Sequence, residues 1–430
     1  MTSQKSPLCV ELDGTLSKTR LFWEMFARLV LRAPWMLIVL AIWGLRGKDF
    51  VFRKLLERCA AKVQHLPLDK EVIKIVKAQQ SRGRTVVLSS PFGELITQKI
   101  LGNQVAFDAI VHKARAEDSD FLEEYQLAPR VFNISALVKT LRPHQWAKNI
   151  LIFVPLMAGH EYIHADKVVH SVAAFVAFCL TASFVYVTND LLDLESDRQH
   201  KRKRKRGLAS GALSVRVAIL ILPMLVVPVF ILGTFLHKEF QLSLLAYVIL
   251  SSSYSWWIKR VILLDVLVLA ALYMARVISG GYATDIVPSG WLLIFSLGIF
   301  TSLGFMKRYI ELESKRQELH VSELASGSLA GRGYLVKHTD VIFTLGLISG
   351  FFACVVFAFY LNSANFVVHY KSPAILSLGC VVIVYWISHV WRMARKGLVH
   401  DDPVVFALKD KSSYIAGGVF LAIILCAKFF

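Results

Sequence analysis

Asn189-Asp190-Leu191-Leu192-Asp193-Leu194-Glu195-Ser196-Asp197 runs into Arg198-Gln199-His200 and then into an unbroken basic stretch, Lys201 to Arg206. A long apolar run, Val168 to Val187, leads into it. At about 100° per residue, Asp190, Asp193 and Asp197 fall within roughly 60° of one another on a helix face, and Asn189 borders the arc. Carboxylates stacked on one face repel each other. At the end of a membrane helix they are costly unless a cavity, a cation or a partner offsets them. The acids point to a divalent metal and the basic stretch to phosphate. Mg2+ suits the arrangement, because it keeps waters and is shared between a few carboxylates and substrate phosphates.

Composition places this stretch in a membrane. The chain has 430 residues, 55% of them hydrophobic, and a mean hydropathy of +0.53. Its apolar residues come in runs near membrane-spanning length. The net charge of +18 would suggest nucleic acid in a soluble protein. Here the basic residues cluster between apolar runs, as cytoplasmic loops do, so no nucleic-acid partner is expected. The cysteines (Cys9, Cys59, Cys179, Cys354, Cys380, Cys426) are scattered without metal-ligand spacing and read as reduced. The polar start, Met1 to Pro7, does not read as a signal peptide.

Residues 1–130 read as a soluble domain and 131–430 as a membrane domain. Cys9 to Leu16 reads as a strand entering a Gly turn, and Arg84 to Ser90 as a second strand ending in hydroxyls. Between them, Pro34 to Leu45 is too short to span a membrane. A buried helix and a helix lying in the membrane interface both fit it. The two strands resemble the haloacid dehalogenase-type phosphatase domain, a Rossmann-like α/β fold. The resemblance implies a nucleophile at Glu11, a general acid at Asp13 and a phosphate-binding hydroxyl at Ser89. The family has Asp where this chain has Glu11, and a displacement of about 1 Å can lower a rate about 100-fold. The family's later acidic motif has only Glu117-Asp118-Ser119-Asp120 as a counterpart. A shortened, inactive domain is the expectation.

The apolar runs predict nine spans, at about 147–161, 168–190, 214–235, 239–257, 263–282, 290–306, 340–361, 373–391 and 413–430. Alternate loops are rich in Lys and Arg, which predicts a cytoplasmic N-terminus, an opposite C-terminus and polar motifs on the cytoplasmic side. The expected fold is thus an all-α multi-pass membrane protein carrying a small N-terminal α/β domain.

Four polar groups fall on that side. They are the acid face with its basic tail; Tyr254 to Lys259 with Asp265; Arg276 with Lys307 and Arg308; and Asp401 to Asp410. Lys148 and Asn149 join them from the basic, aromatic stretch Leu141 to Asn149. These motifs resemble the UbiA-type intramembrane prenyltransferase superfamily, whose first motif is Asn-Asp-x-x-Asp-x-x-x-Asp. The match is closer to the decaprenyl-phosphate phosphoribosyltransferase branch. That branch shows Arg-Pro-x-Gln-Trp-x-Lys-Asn, here Arg142 to Asn149, and a basic stretch before Ala-x-Gly, here Lys203 to Gly211. It also shows Tyr-x-x-x-x-Lys before one Asp, here Tyr254, Lys259 and Asp265, and an Asp-Asp-Pro-Val-x-Phe-Ala-Leu tail, here Asp401 to Leu408. Quinone-type members carry a second aspartate four residues on, where this chain has Leu269.

The resemblance implies transfer of phosphoribose from phosphoribosyl pyrophosphate to a polyprenyl phosphate, at the cytoplasmic face of the bacterial inner membrane. Asp190, Asp193 and Asp197 would hold Mg2+. Lys148, Asn149, Asn189, Lys203, Arg204, Arg206, Tyr254, Arg276, Lys307 and Arg308 would bind substrate, and Lys259 and Asp265 of the second motif would join the three acids as catalytic residues. The nearest alternative is transfer of a prenyl group from a prenyl diphosphate to an aromatic acceptor. For Asp401 and Asp402, loop solvation and a C-terminal clasp both fit. His200 reads as a loop residue.

Overall fold

In the computed structural model every residue of one strand, Val86–Ser90, is buried. The structure describes residues 6–59, 66–92, 94–101, 105–112, 123–124, 133–200, 203–318, 327–329, 331–363, 372–399 and 402–429. Lys201, Arg202, Asp401, the acids at 117–120 and the junction at 126–132 lie outside these residues. Contacts divide the chain into two units, Met1–Arg142 with Ser183–Val227 and Pro143–Ala182 with Pro228–Phe430.

The first unit contains a small parallel sheet of β1 (Leu8–Glu11), β2 (Val86–Ser90), β3 (Ala109–His112) and β4 (Glu123–Glu124), in the order β3-β2-β1-β4. Its central strands open with buried apolar residues, Leu8 to Val10 and Val86 to Leu88, as strands covered by helices do. After β1 the chain turns at Gly14, whose φ of +82° suits glycine. Asp13 Oδ1 accepts a hydrogen bond from Leu21 N at 2.8 Å. That contact satisfies a free N–H at the start of the helix Leu21–Arg32. In the helix Met36–Gly44, Met36 and Leu40 are buried. Leu37, Ile38 and Ile42, with Trp35 and Leu45 beside them, are exposed. An uncovered apolar face fits the interfacial reading of this stretch.

The same unit holds the end of the helix Ala165–Leu192 and the short helix Leu194–Gln199. The helix Ile134–Leu141 packs there too. Its apolar cluster includes Ala136, Val187, Leu191, Leu194, Leu208 and Leu213, together with Ala27 from Leu21–Arg32.

The second unit is helical. Two apolar clusters hold it, one around Val266, Met306 and Trp391 and one around Phe178, Phe240 and Tyr247. A Cβ on Gly280 would meet the carbonyl oxygen of Ile152 at 2.1 Å. Glycine therefore lets the helix Leu264–Thr284 press against the 3-10 segment Pro143–Phe153.

Seven described helices are long and apolar enough to cross a membrane: Ala165–Leu192, Val215–Thr234, Leu264–Thr284, Gly290–Glu318, Val336–Leu361, Ala374–Arg395 and Lys411–Lys428. The expected count of nine is corrected at two places. Around 147–161 the chain forms the 3-10 segment and then a helix of only 5 residues, Val154–Ala158. Lys238–Trp256 is a helix of 19 residues, but Lys238, Glu239, Gln241 and its serines leave it less apolar than these seven.

Candidate active site

The helix that carries the acids is broken at Asp193. Ala165–Leu192 stops before Asp193, and a second helix starts at Leu194. The hydrogen-bond ladder continues across the break, from Asp193 N to Asn189 O at 2.9 Å and from Asp197 N to Asp193 O at 2.8 Å. Asp190 and Asp197 are buried, whereas Asp193 is exposed. Arg206 Nη1 donates to Asp190 Oδ1 at 3.1 Å and to Asp197 Oδ2 at 2.7 Å, tying the two acids together. Arg142 Nη2 donates to Asp190 Oδ1 at 2.6 Å. Arg142 has left-handed backbone angles, φ 54° and ψ 55°. For an arginine this is strained, and such strain persists where the surroundings fix it. Its guanidinium also lies over the Tyr186 ring, at 4.9 Å.

Asp197 Oδ1 is buried and accepts no hydrogen bond, with Lys203 Nζ 3.8 Å away. Arg204 is exposed and Asn189 half-buried. Among the described residues, no group of three or more acid, His or Cys side chains is arranged to hold a metal.

Two charged networks occupy the second unit. The first surrounds Asp265, which is fully buried. Arg308 Nε stands 2.8 Å from Asp265 Oδ2, and Tyr334 OH donates to Oδ1 at 2.5 Å. Arg332 reaches Asp265 at 3.7 Å and Glu311 at 2.9 Å, and Arg308 also pairs with Glu311. Tyr254 OH accepts from Arg308 at 3.0 Å and from Arg332 at 3.3 Å. Two guanidiniums face two carboxylates, so charge is balanced here.

In the second network it is not. Asp402 pairs with Lys148 and lies 3.5 Å from Lys307. Tyr273 OH donates to it at 3.2 Å, and the Tyr273 ring lies 5.8 Å from both Lys148 Nζ and Arg276 Cζ. Arg276 is buried, with neutral partners among the described residues. It donates to Asn149 Oδ1 at 2.9 Å, to Tyr247 OH at 3.0 Å and to the Leu272 carbonyl. Lys148, Lys307 and Arg276 thus outnumber Asp402. Burial pushes the Asp402 carboxyl up, but Lys148 and Lys307 outweigh it and hold it well below the usual carboxylate range. Buried positive charge in excess is unfavourable on its own and suits an anion.

Residues 151–408, more than half of the chain, match the model of the UbiA prenyltransferase family. The chain belongs to that family. It is a prenyltransferase-type enzyme and an integral membrane protein. An uncharacterized protein of Sinorhizobium fredii is 29% identical to it over 97% of this chain and 90% of that one. The nodulation protein NoeC of Azorhizobium caulinodans is 33% identical over 64% of this chain and 87% of its own length. The decaprenyl-phosphate phosphoribosyltransferase of Mycolicibacterium smegmatis is 36% identical over 42% of this chain and 58% of its own length.

Within this UbiA-family chain, Asp190 and Asp197 meet through Arg206, Lys148 and Lys307 through Asp402, Arg276 and Asn149 directly, and Tyr254 and Arg308 directly. Lys259 sits half-buried in the 3-10 turn Ile258–Arg260. Sequence reasoning missed the roles of Arg142, Arg332 and Tyr334. Arg142 left one signal, since it precedes Pro143 and a residue before proline is biased away from the right-handed helical region. Arg332 and Tyr334 left none.

Proposed function

We propose that the chain transfers 5-phosphoribose from phosphoribosyl pyrophosphate to a polyprenyl phosphate on the cytoplasmic side of the bacterial inner membrane. The bond from C1 of the sugar to pyrophosphate breaks. A lipid phosphate oxygen bonds to C1, and pyrophosphate leaves. The observation that carries this reading is the difference between the two networks in the second unit. Asp265 is countered by guanidiniums, as Asp190 is, but Leu269 stands four residues on in place of a second aspartate. The cluster of Lys148, Lys307 and Arg276 has positive charge to spare for phosphate.

Asp190 and Asp197 fit a divalent cation, since both offer hard oxygens and Asp197 Oδ1 is buried without a hydrogen bond. Asp193 would complete the set. Mg2+ bound there would supply charge neutralisation for the departing pyrophosphate. Arg206 and Lys203 stand beside these acids to take phosphate oxygens, and Arg204 and Asn189 flank them. Lys148, Lys259, Arg276 and Lys307 would neutralise phosphate charge, with Asn149 orienting the Arg276 guanidinium, while Arg308 and Tyr254 are taken up in the balanced network around Asp265. A lipid phosphate is already an anion at neutral pH, so little general-base help is needed. The N-terminal domain is read as having no phosphatase activity, because Asp13 caps a helix and Glu11 stands at the nucleophile position.

The test offers the purified protein polyprenyl phosphate with radiolabelled phosphoribosyl pyrophosphate. A second reaction contains polyprenyl diphosphate with 4-hydroxybenzoate. Labelled lipid in the first and no product in the second is expected. The reverse would assign the chain to aromatic prenyl transfer.

A further inference from the structure

The short helix Leu194–Gln199 has 6 residues, far fewer than a helix needs to be stable in isolation. Its position, and so that of Asp197, is imposed from outside. The helix Leu21–Arg32 of the N-terminal domain grips it. Arg198 Nη2 donates to Glu24 Oε1 at 2.6 Å and Arg198 Nη1 to Glu24 Oε2 at 3.3 Å, with each side chain only 4% exposed. Arg28 Nη2 lies 3.0 Å from Glu195 Oε2. Glu24 and Arg28 are four apart, Arg198 and Glu195 three apart, and the pairs run in opposite order, so the two helices align antiparallel through one charged face each. Ala27 joins the apolar cluster that holds Leu191 and Leu194. The chain beyond the basic stretch is fixed against the same domain. Arg216 lies over the Trp23 ring at 5.8 Å, and a Cβ on Gly211 would meet Lys18 Cβ at 2.7 Å.

We propose that the N-terminal domain is a brace for the acid turn: through Glu24–Arg198 and Arg28–Glu195 it fixes Leu194–Gln199, and with it Asp197 relative to Asp190. This rests on reading those two aspartates as metal ligands. Glu24, Arg28 and Arg198 act as positioning residues. The domain's contribution is then independent of any phosphatase chemistry.

The experiment uses the full chain in detergent and two readouts, hydrogen exchange of the amides of 194–199 and Mn2+ affinity by electron paramagnetic resonance. Glu24→Gln should speed exchange in 194–199 and weaken Mn2+ binding by about 10-fold, the scale of losing a group that orients a metal ligand. Arg28→Gln, at a more exposed pair, should do the same to a smaller degree and serves if Glu24→Gln does not insert. The swap Glu24→Arg with Arg198→Glu should return both readouts towards wild type. Unchanged exchange at 194–199 in the single variants overturns the brace, whatever happens to Mn2+. Failure of the wild-type protein to bind Mn2+ overturns the metal reading instead, and the exchange data still decide the brace.

Discussion

Arg308 Nε stands 2.8 Å from Asp265 Oδ2, and both side chains are sealed from solvent. A carboxylate held this way by a guanidinium and by the Tyr334 hydroxyl is already neutralised. Its first effect is on folding. Removing one partner of a buried pair typically costs about 3–5 kcal/mol, because the other charge is left uncompensated.

Asp265→Ala should therefore lower the unfolding temperature of the detergent-solubilised protein by several degrees. The Mg2+ concentration for half-maximal activity of the surviving protein should stay at the wild-type value. Thermal unfolding followed by a Mg2+ titration checks this. An unshifted melting point with a raised Mg2+ requirement would make Asp265 a metal ligand.

At the acid turn the expected pattern is the opposite. Asp190→Ala or Asp193→Ala should abolish transfer, by about 100-fold or more if the lost metal stabilisation is worth several kcal/mol. Both variants should still insert. Arg142 and Arg206 would lose a partner in Asp190→Ala, so its stability should fall more than that of Asp193→Ala, whose side chain is exposed. Activity and melting temperature measured on the same preparations test both halves. Full activity in either variant, with Mg2+ still required, removes the metal assignment.

Arg276 separates binding from stability. It is buried beside Tyr247, Asn149 and a carbonyl, all neutral. Replacing it removes an unpaired buried charge but takes a donor from the buried Asn149 and Tyr247 oxygens, and a buried group left unsatisfied costs about 1–3 kcal/mol. Arg276→Met should lower the melting temperature by no more than a few degrees. It should also raise KM for a phosphorylated substrate, by an amount equal to about 1.5–3 kcal/mol for one charge-assisted bond. A fall in stability with KM unchanged would make Arg276 a structural residue.

The acid turn was legible because its information is local. Three acids at helical spacing after an apolar run need no distant partner to be noticed, and the ladder from Asn189 to Asp197 keeps that spacing across the break at Asp193. Most spans were legible for the same reason. The two that failed did so on local chemistry, Pro143 opening a 3-10 segment and the polar residues of Lys238–Trp256. What pairs with each charge was not legible. Arg198 meets Glu24 across 174 positions and Lys148 meets Asp402 across 254. Nothing in the spacing of either residue names its partner. Asp402 could be read as loop solvation or as a clasp over the site, and its burial with Lys148, Lys307 and Tyr273 excludes loop solvation.

That cluster has a pH signature with a definite sign. The Asp402 carboxyl is held below the ordinary carboxylate range in the folded protein. A depressed folded-state value means the unfolded chain binds the proton more readily. The stabilisation is then fully present above about pH 4, the unfolded value, and is lost as pH falls through the folded one. Asp402→Asn removes the charge at every pH and leaves Lys148 and Lys307 facing each other uncompensated. On the Asp402 titration alone, the gap in melting temperature between wild type and Asp402→Asn should begin to shrink only below about pH 4. A gap that closes already near pH 6 would mean that a different group, titrating near neutrality, holds the two lysines in place.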